Sequence, residues 1–368
     1  MMKGKAYVLC DGQWGSTGKG KLAGYLASKI KPTAVACDFM TNAGHTWIGD
    51  DGTKIMTQQI PTGALFTDGP ILLGPGCGIS ISTLLTEVTE LNAKGYDIRG
   101  RLFIHPHAFI IDREHAEIEA CVTKRVASTM KGCGAALADK VVRHPRLRLA
   151  KDAPELKDWI ADTVRIATDI LDNNGVIQVE GAQGFCLSLD WGVYPYVTSR
   201  NITPTDILLR SGIPAQYLGT VFGSLRTYPI RVGNVVEDGV EVGFSGPCYP
   251  DQQELDWETL ERRSGGTNLV ERTTVTGRVR RLFNFSFEQL NHFIKMCAPD
   301  YLFLNFANHI DAGVAGVTKC EDLSESVLEV LNTIYDRMDS DVPIGLIGTG
   351  PKQSDMIDFI WGDRTNVN

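Results

Sequence analysis

Apolar positions along this chain follow two alternating patterns. Short apolar runs of strand length occupy residues 6–10, 34–37, 71–73, 102–104, 176–180, 301–304 and 344–347. Between them, apolar side chains recur at the three- and four-residue spacing of a helix face. Leu84, Leu85, Val88 and Leu91 do so, with Ser80 or Ser82 ahead as a cap and Gly95 as a stop. Residues 22–30, 155–171 (through Trp159, Ile160, Val164 and Ala167), 287–296 and 327–338 read as further helices. Strands that are apolar throughout, alternating with helices, predict an α/β fold with a mainly parallel central sheet flanked by helices. Residues 233–268, rich in Gly, Pro and acidic side chains, break the pattern and read as surface loops with a small antiparallel piece. No linker or repeat interrupts the chain, so residues 1–368 are expected to form one decorated nucleotide-binding domain.

Composition narrows the class. A net charge of -8 with no long basic run argues against nucleic acid as a partner. No apolar stretch reaches membrane-spanning length, and no signal segment precedes the first strand, so a cytoplasmic enzyme without a membrane partner is expected. The nine cysteines include no Cys-x-x-Cys pair and read as free thiols.

The candidate chemistry begins at the first strand. Gly12-Gln13-Trp14-Gly15-Ser16-Thr17-Gly18-Lys19-Gly20-Lys21 joins that strand to a helix. A glycine-rich turn there aims backbone N–H groups at an anion, so Gly15, Ser16, Thr17, Gly18, Lys19 and Gly20 are read as a triphosphate cradle. The common P-loop pattern fails: its first glycine slot holds Gln13, and Gly20 stands where a hydroxyl residue is required.

This motif resembles the signature of the adenylosuccinate synthetases, which join aspartate to a 6-oxopurine nucleotide using a nucleoside triphosphate. Asn42-Ala43-Gly44-His45-Thr46, Glu180-Gly181-Ala182-Gln183-Gly184, Tyr194-Pro195-Tyr196-Val197-Thr198-Ser199, Thr276-Gly277-Arg278-Val279-Arg280-Arg281 and Gly348-Thr349-Gly350-Pro351 resemble further family motifs in the same order. The resemblance implies roles. Lys19 meets the β- and γ-phosphates, His45 acts on the transferring phosphoryl group, and the Gly44 carbonyl joins a Mg²⁺ shell to which position 16 also contributes. Gln183 contacts the purine 6-oxygen, while Asn42, Ser128, Thr129 and Thr198 surround the 5′-phosphate. Ser128 to Gly134 reads as a second anion loop. Arg143 reaches the neighbouring subunit of a homodimer; an ion pair with Asp139 is the alternative. Val275, Thr276, Gly277, Arg278 and Arg280 hold L-aspartate. Three guanidiniums within residues 278–281 repel one another unless anions lie between them, which suits a dicarboxylate. Asn305, Asn308, Gly348 and Pro351 face the triphosphate's base.

Two departures bear on specificity. The family carries aspartate at position 16 as the purine N1 base; this chain has Ser16. That change resembles the phage branch of the family, the 2-aminoadenylosuccinate synthases, which act on dGMP for 2-aminoadenine DNA. Serine removes the base but leaves room for a 2-amino group. Near Asn305–Asn308 the Lys and Asp of GTP-using members are absent, which favours ATP, since a guanine edge without its acceptor costs ~1–3 kcal/mol. An ordinary IMP-using synthetase and a non-catalytic nucleotide-binding regulator remain as alternatives.

Overall fold

The computed structural model describes residues 5–273 and 277–362. In chain order the elements begin β1 (Lys5–Asp11), α1 (Lys19–Ile30), β2 (Ala34–Cys37), β3 (His45–Ile48), β4 (Lys54–Thr57), β5 (Ile71–Leu73), β6 (Gly78–Ile79), α2 (Ile81–Ala93) and β7 (Leu102–Ile104). Next come β8 (Phe109–Ile110), α3 (Arg113–Val122), α4 (Cys133–Val142), α5 (Thr163–Asp172), β9 (Val176–Glu180), α6 (Pro204–Arg210), β10 (Leu218–Arg226), β11 (Ile230–Arg231), β12 (Val235–Glu237) and β13 (Val240–Gly243). The last are β14 (Glu254–Leu255), α7 (Trp257–Ser264), β15 (Arg281–Phe283), α8 (Phe287–Cys297), β16 (Tyr301–Asn305), α9 (Glu325–Arg337), β17 (Ile344–Gly348) and β18 (Met356–Asp358).

Nine strands form the central sheet in the order β18-β17-β16-β10-β1-β9-β2-β5-β7. Every neighbouring pair is parallel except β17 with β18. The expected α/β architecture is therefore present. Side chains of β1 alternate between two cores, as strand geometry requires. Val8 and Cys10 enter the cluster containing Ile207, Leu290 and Phe293, whereas Leu9 packs with Leu22 and Leu26 of α1 and with Phe303. Each such buried aliphatic chain contributes on the order of 1.5–3 kcal/mol.

The periodicity misled over one helix and left other elements unanticipated, α3, α4 and α6 among them. The helix expected over 155–171 is broken: residues 154–159 form a 3₁₀ turn, and α5 starts anew at Thr163 with the Asp162 carboxylate accepting from Arg165 N. Strand β10, at the centre of the sheet, was not anticipated; nor was α7 inside the presumed loop region 233–268, where the expected antiparallel pair β12–β13 does occur. All nine cysteines are free thiols, and six are buried.

Strand β1 lies between β9 and β10, and the chain leaves it toward β2 on one side before returning to β10 and β16 on the other. Such a switch point at the carboxyl ends of parallel strands is where open α/β sheets bind ligands.

Candidate active site

Five strands end at this switch point in Asp11, Glu180, Arg226, Asn305 and Gly348. The cradle begins at Asp11, a fully buried carboxylate one residue ahead of the motif. Its Oδ1 accepts from Gln13 N at 2.8 Å and Gly15 N at 3.2 Å. Its Oδ2 accepts from the Thr17 hydroxyl at 2.6 Å and from Lys19 Nζ at 2.9 Å. The loop is thus wound around its own anion. Lys19 Nζ also donates to the Gln183 carbonyl at 2.8 Å, placing the ammonium between the two motifs. Gly18, at φ 92°, opens α1 with no side-chain cap, so the helix N-terminus faces the cavity uncapped. Gly20 has no room for a side chain, because a Cβ would lie 2.5 Å from the Thr46 carbonyl oxygen.

Two residues bend the loops against their own preference. Ser16 and Gln183 adopt left-handed backbone at φ 58° and 68°. Non-glycine residues in sparse regions cost of order 1–3 kcal/mol each and gather where geometry serves a ligand.

His45 opens β3 and is buried. Its Nδ1 lies 2.6 Å from Glu180 Oε1, while Nε2 is buried without a partner. Glu180 Oε2 accepts from Gly63 N at 3.4 Å. The carboxylate therefore fixes the imidazole and leaves its far nitrogen available at the cavity.

Three cavities share their walls. The first, about 280 Å³, is lined by Asn42, Ser128, Thr129, Gln183 and Thr198, with Trp14, Arg231 and Val232. The second, about 120 Å³, is lined by Gly15, Ser16, Lys19, Asn42, Gly44, His45, Thr129, Gln183 and Arg280. The third, about 580 Å³, takes in Ser16, Gly18, Lys19, Gly20, Gly44, His45, Asn305, Asn308, His309, Gly350 and Pro351. Most of the anticipated residues are brought together here. Buried polar atoms lacking partners in these walls include Asn42 Oδ1, Trp14 Nε1 and His45 Nε2. Unpaired buried polar atoms are uncommon in folded proteins, and grouped in one wall they indicate a polar ligand.

Other expected residues sit differently. The Thr17 hydroxyl is spent on Asp11, and Gly348 is buried behind the wall, where its missing Cβ leaves space for the Asn305 amide. Asn305 Nδ2 donates to Thr17 O at 3.1 Å, tying the end of β16 to the glycine loop. The second anion loop needs correction. Its Gly132 and Gly134 N–H groups donate to the two Glu119 oxygens at 2.7 and 2.5 Å, so that turn already holds an anion. Arg143 is exposed at the left-handed C-cap of α4, away from the three cavities. Asp139 pairs with Arg146 and His115 instead of with Arg143. Val275 and Thr276 lie outside the described residues. Gly277 is left-handed at φ 68°, Arg278 Nη2 donates to the Ala127 and Ser128 carbonyls at 3.1 Å each, and Arg280 lines the cavities. Repulsion among the three arginines is relieved partly from within: Arg281 pairs with Glu254 at 2.6 Å, and Arg280 lies 3.8 Å from Glu271.

Comparison with known proteins identifies the family. The sequence profile of the adenylosuccinate synthetase family matches residues 8–152 and 146–312. The chain belongs to the adenylosuccinate synthetase family. It is 36% identical over 396 residues to the N6-succino-2-amino-2'-deoxyadenylate synthase of Acinetobacter phage SH-Ab 15497, covering 98% of this chain and 96% of that one. It is 32% identical to the adenylosuccinate synthetase of Pyrococcus horikoshii, covering 95% and 97%. The cyanophage S-2L succinoaminodeoxyadenylate synthetase, solved with dGMP and dATP as an energy donor, superposes with a TM-score of 0.82 at 33% identity, covering 97% and 96%. This family member is accordingly a nucleotide-binding ligase that forms a C–N bond, and its relatives include phage enzymes.

The sequence reading missed Asp11, Glu180, Arg226, Glu271 and Glu119 as parts of the site. Glu180 opens a recognised motif and Asp11 immediately precedes one, so position alone was a usable signal for those two. Arg226 and Glu271 carried none.

Proposed function

We propose that this ligase joins L-aspartate to C6 of dGMP at the expense of ATP, giving 2-amino-2'-deoxy-N6-succinyladenylate, ADP and phosphate. The observation that carries the reading is the wall of the middle cavity. Ser16 lines it with Gln183 and His45, and none of the described residues lining it is acidic. A carboxylate at position 16 would crowd purine C2; serine leaves room for a 2-amino group and offers it a neutral acceptor. The phage relatives' names and the dGMP in the cyanophage structure support the same substrate.

In this reading dGMP lies in the first cavity with its 5′-phosphate toward Asn42, Ser128, Thr129 and Thr198. Lys19 and the α1 N-terminus hold the triphosphate across the middle cavity. The γ-phosphoryl group transfers to O6, held by the Gln183 amide. His45 Nε2, backed by Glu180, stabilises the charge on the moving group. The aspartate amine, presented by Arg280, Arg278 and residues 275–277, then displaces phosphate at C6. Mg²⁺ bound with the triphosphate would supply charge neutralisation at the β- and γ-oxygens. Ser16 and Gly44 line that space, and a hydroxyl and a backbone carbonyl are oxygen donors of the kind a hard cation takes. Among the described residues no group of three or more His, Cys, Asp or Glu side chains could hold the ion by itself.

Adenine is the base that fits the outer cavity. The carboxylate that lines it among the described residues, Glu271, is taken up by the Arg226 guanidinium and is not free to accept from a guanine edge. Asp311, the nearest acidic candidate in sequence, accepts from Gly313 N at 2.8 Å and is held below the usual carboxylate range by a Ser324 hydrogen bond and that backbone contact. The assembly is a homodimer in which Arg143 enters the neighbouring site. Val141 and Val142 beside it are exposed, as a subunit contact requires. No helix among the described residues is long and apolar enough to cross a membrane. Product analysis after incubation with aspartate, ATP and each of dGMP, GMP and IMP tests the reading. A succinyl product from dGMP supports it, and product from IMP alone refutes it.

A further inference from the structure

Arg226 ends β10 as one of the largest fully buried side chains. Its Nε is buried without a partner, and the groups that meet Nη1, Nη2 and the guanidinium face come from three separate loops. Nη1 donates to the Ser16 carbonyl at 3.1 Å and to Glu271 Oε2 at 3.3 Å. Nη2 donates to Glu271 Oε1 at 2.5 Å, completing a two-pronged pair. The guanidinium also lies 4.1 Å from the centre of the Phe306 ring, on the turn that follows β16. A single side chain thus touches the triphosphate cradle, the base-side turn and the segment that leads into residues 276–280.

Glu271 stands at the neck of that last segment. Arg280 N donates to the Glu271 carbonyl at 2.9 Å, and Thr273 N donates to the Arg278 carbonyl at 2.8 Å, so the two arms are paired. The Glu271 carboxylate also faces the Arg280 guanidinium at 3.8 Å. Burial alone would push Glu271 up; the charge and hydrogen bonds of Arg226, with Arg280 behind, outweigh it and hold the carboxyl below its ordinary range.

We propose that Arg226 is the positioning residue that couples the triphosphate cradle to the amino-acid loop, through the Ser16 carbonyl on one side and Glu271 on the other. This deepens the proposed function, because it takes residues 276–280 as the aspartate loop. The mechanical reason is direct. Triphosphate bound against Lys19 and the α1 N-terminus restrains the Ser16 peptide. Ser16 then restrains the guanidinium, and the guanidinium fixes the neck from which Arg278 and Arg280 project. Arg226 itself lines none of the three cavities, so it acts through others and not on substrate.

Amide exchange and steady-state kinetics test this in the full chain. ATP with Mg²⁺ should slow exchange in both the cradle, residues 12–21, and the neck, residues 269–281. In Arg226→Met and in Glu271→Gln the cradle should still respond to ATP while the neck no longer does. In turnover, both variants should raise the aspartate KM about tenfold or more and leave the dGMP KM within about threefold. Arg226→Lys should recover part of the loss. Neck protection by ATP that survives in a folded Glu271→Gln protein would overturn the coupling, as would an unchanged aspartate KM. If Arg226→Met does not fold, Glu271→Gln alone decides. The exchange measurement needs no turnover, so a wild type that ligates no purine would sink the functional reading without touching this test.

Discussion

Replacing Glu180 by Gln isolates one charge in the site. Glu180 Oε1 meets His45 Nδ1 at 2.6 Å, with the two side chains only 1% and 5% exposed, so little water screens the pair. Glutamine keeps the shape and an acceptor for Nδ1–H but removes the negative charge beside the ring. A hydrogen bond to a charged group contributes about 1.5–3 kcal/mol, and two unit charges about 4 Å apart interact by about 4 kcal/mol at an effective dielectric of about 20. Because the benefit is greatest when charge develops on the phosphoryl group, most of it belongs to the transition state. The expected loss is therefore about 2–4 kcal/mol, or roughly 30- to 1,000-fold in kcat. The KM values for ATP, dGMP and aspartate should each move less than about threefold. Adding Glu180→Gln to His45→Ala should cost little more than His45→Ala alone, since the carboxylate acts through the ring. A Glu180→Gln enzyme with kcat within about threefold of wild type, or one whose loss is all in KM, would refute the relay from Glu180 through His45.

Further outcomes follow from the same geometry. Lys19→Met should lower kcat by ~100-fold or more and also lower Tm, because Asp11 is left as an unpaired buried charge; adding Asp11→Asn should restore Tm but not turnover. His309 is pulled down to about 4 by burial and then by the Arg226 charge, against the pull of Glu271. Its folded value lies below the ordinary 6.5, so the unfolded chain takes up the proton first and stability falls as pH drops from about 6.5 to about 4. Urea unfolding at pH 7 and pH 4 should show wild type losing roughly 3 kcal/mol more than His309→Gln; equal losses would contradict a buried neutral imidazole. Mixing inactive Arg143→Ala with inactive His45→Ala should regain activity through hybrid dimers, and no regain after verified subunit exchange would place Arg143 outside the site.

The elements legible in the sequence were those whose burial is decided locally. Residues 6–10 are apolar on both faces and read as a parallel strand without help, and Val176, Ile177 and Val179 mark the next one despite Gln178 and Glu180 on one face. Strand β10 was not legible. Its sequence, LGTVFGSLR, holds two glycines and two hydroxyl residues with no alternation, and its burial comes from β1, β16 and the helices over them. Missing β10 meant missing Arg226, whose partners Ser16 and Glu271 lie 210 and 45 residues away in sequence. The break before α5 was overlooked for a different reason. The apolar spacing runs through it unchanged, and only the Asp162 cap marks the new start. The glycine loop and the His45 loop line one cavity, and both were marked in the sequence because tight turns need particular residue types at fixed positions. Glu119 was invisible as an internal anion, since a carboxylate that fills a backbone turn looks in sequence like any surface acid, whereas Asp11 was marked only by its place just ahead of the glycine motif.

The specificity assigned to Ser16 is the centre of the account. The decisive measurement is the ratio of kcat/KM for dGMP to that for IMP, at fixed ATP and aspartate, in wild type and in Ser16→Asp. A middle cavity without an acidic wall should make wild type favour dGMP, and a carboxylate at position 16 should move the ratio toward IMP. A wild type that strongly favours IMP, or a ratio that does not move in Ser16→Asp, would contradict it.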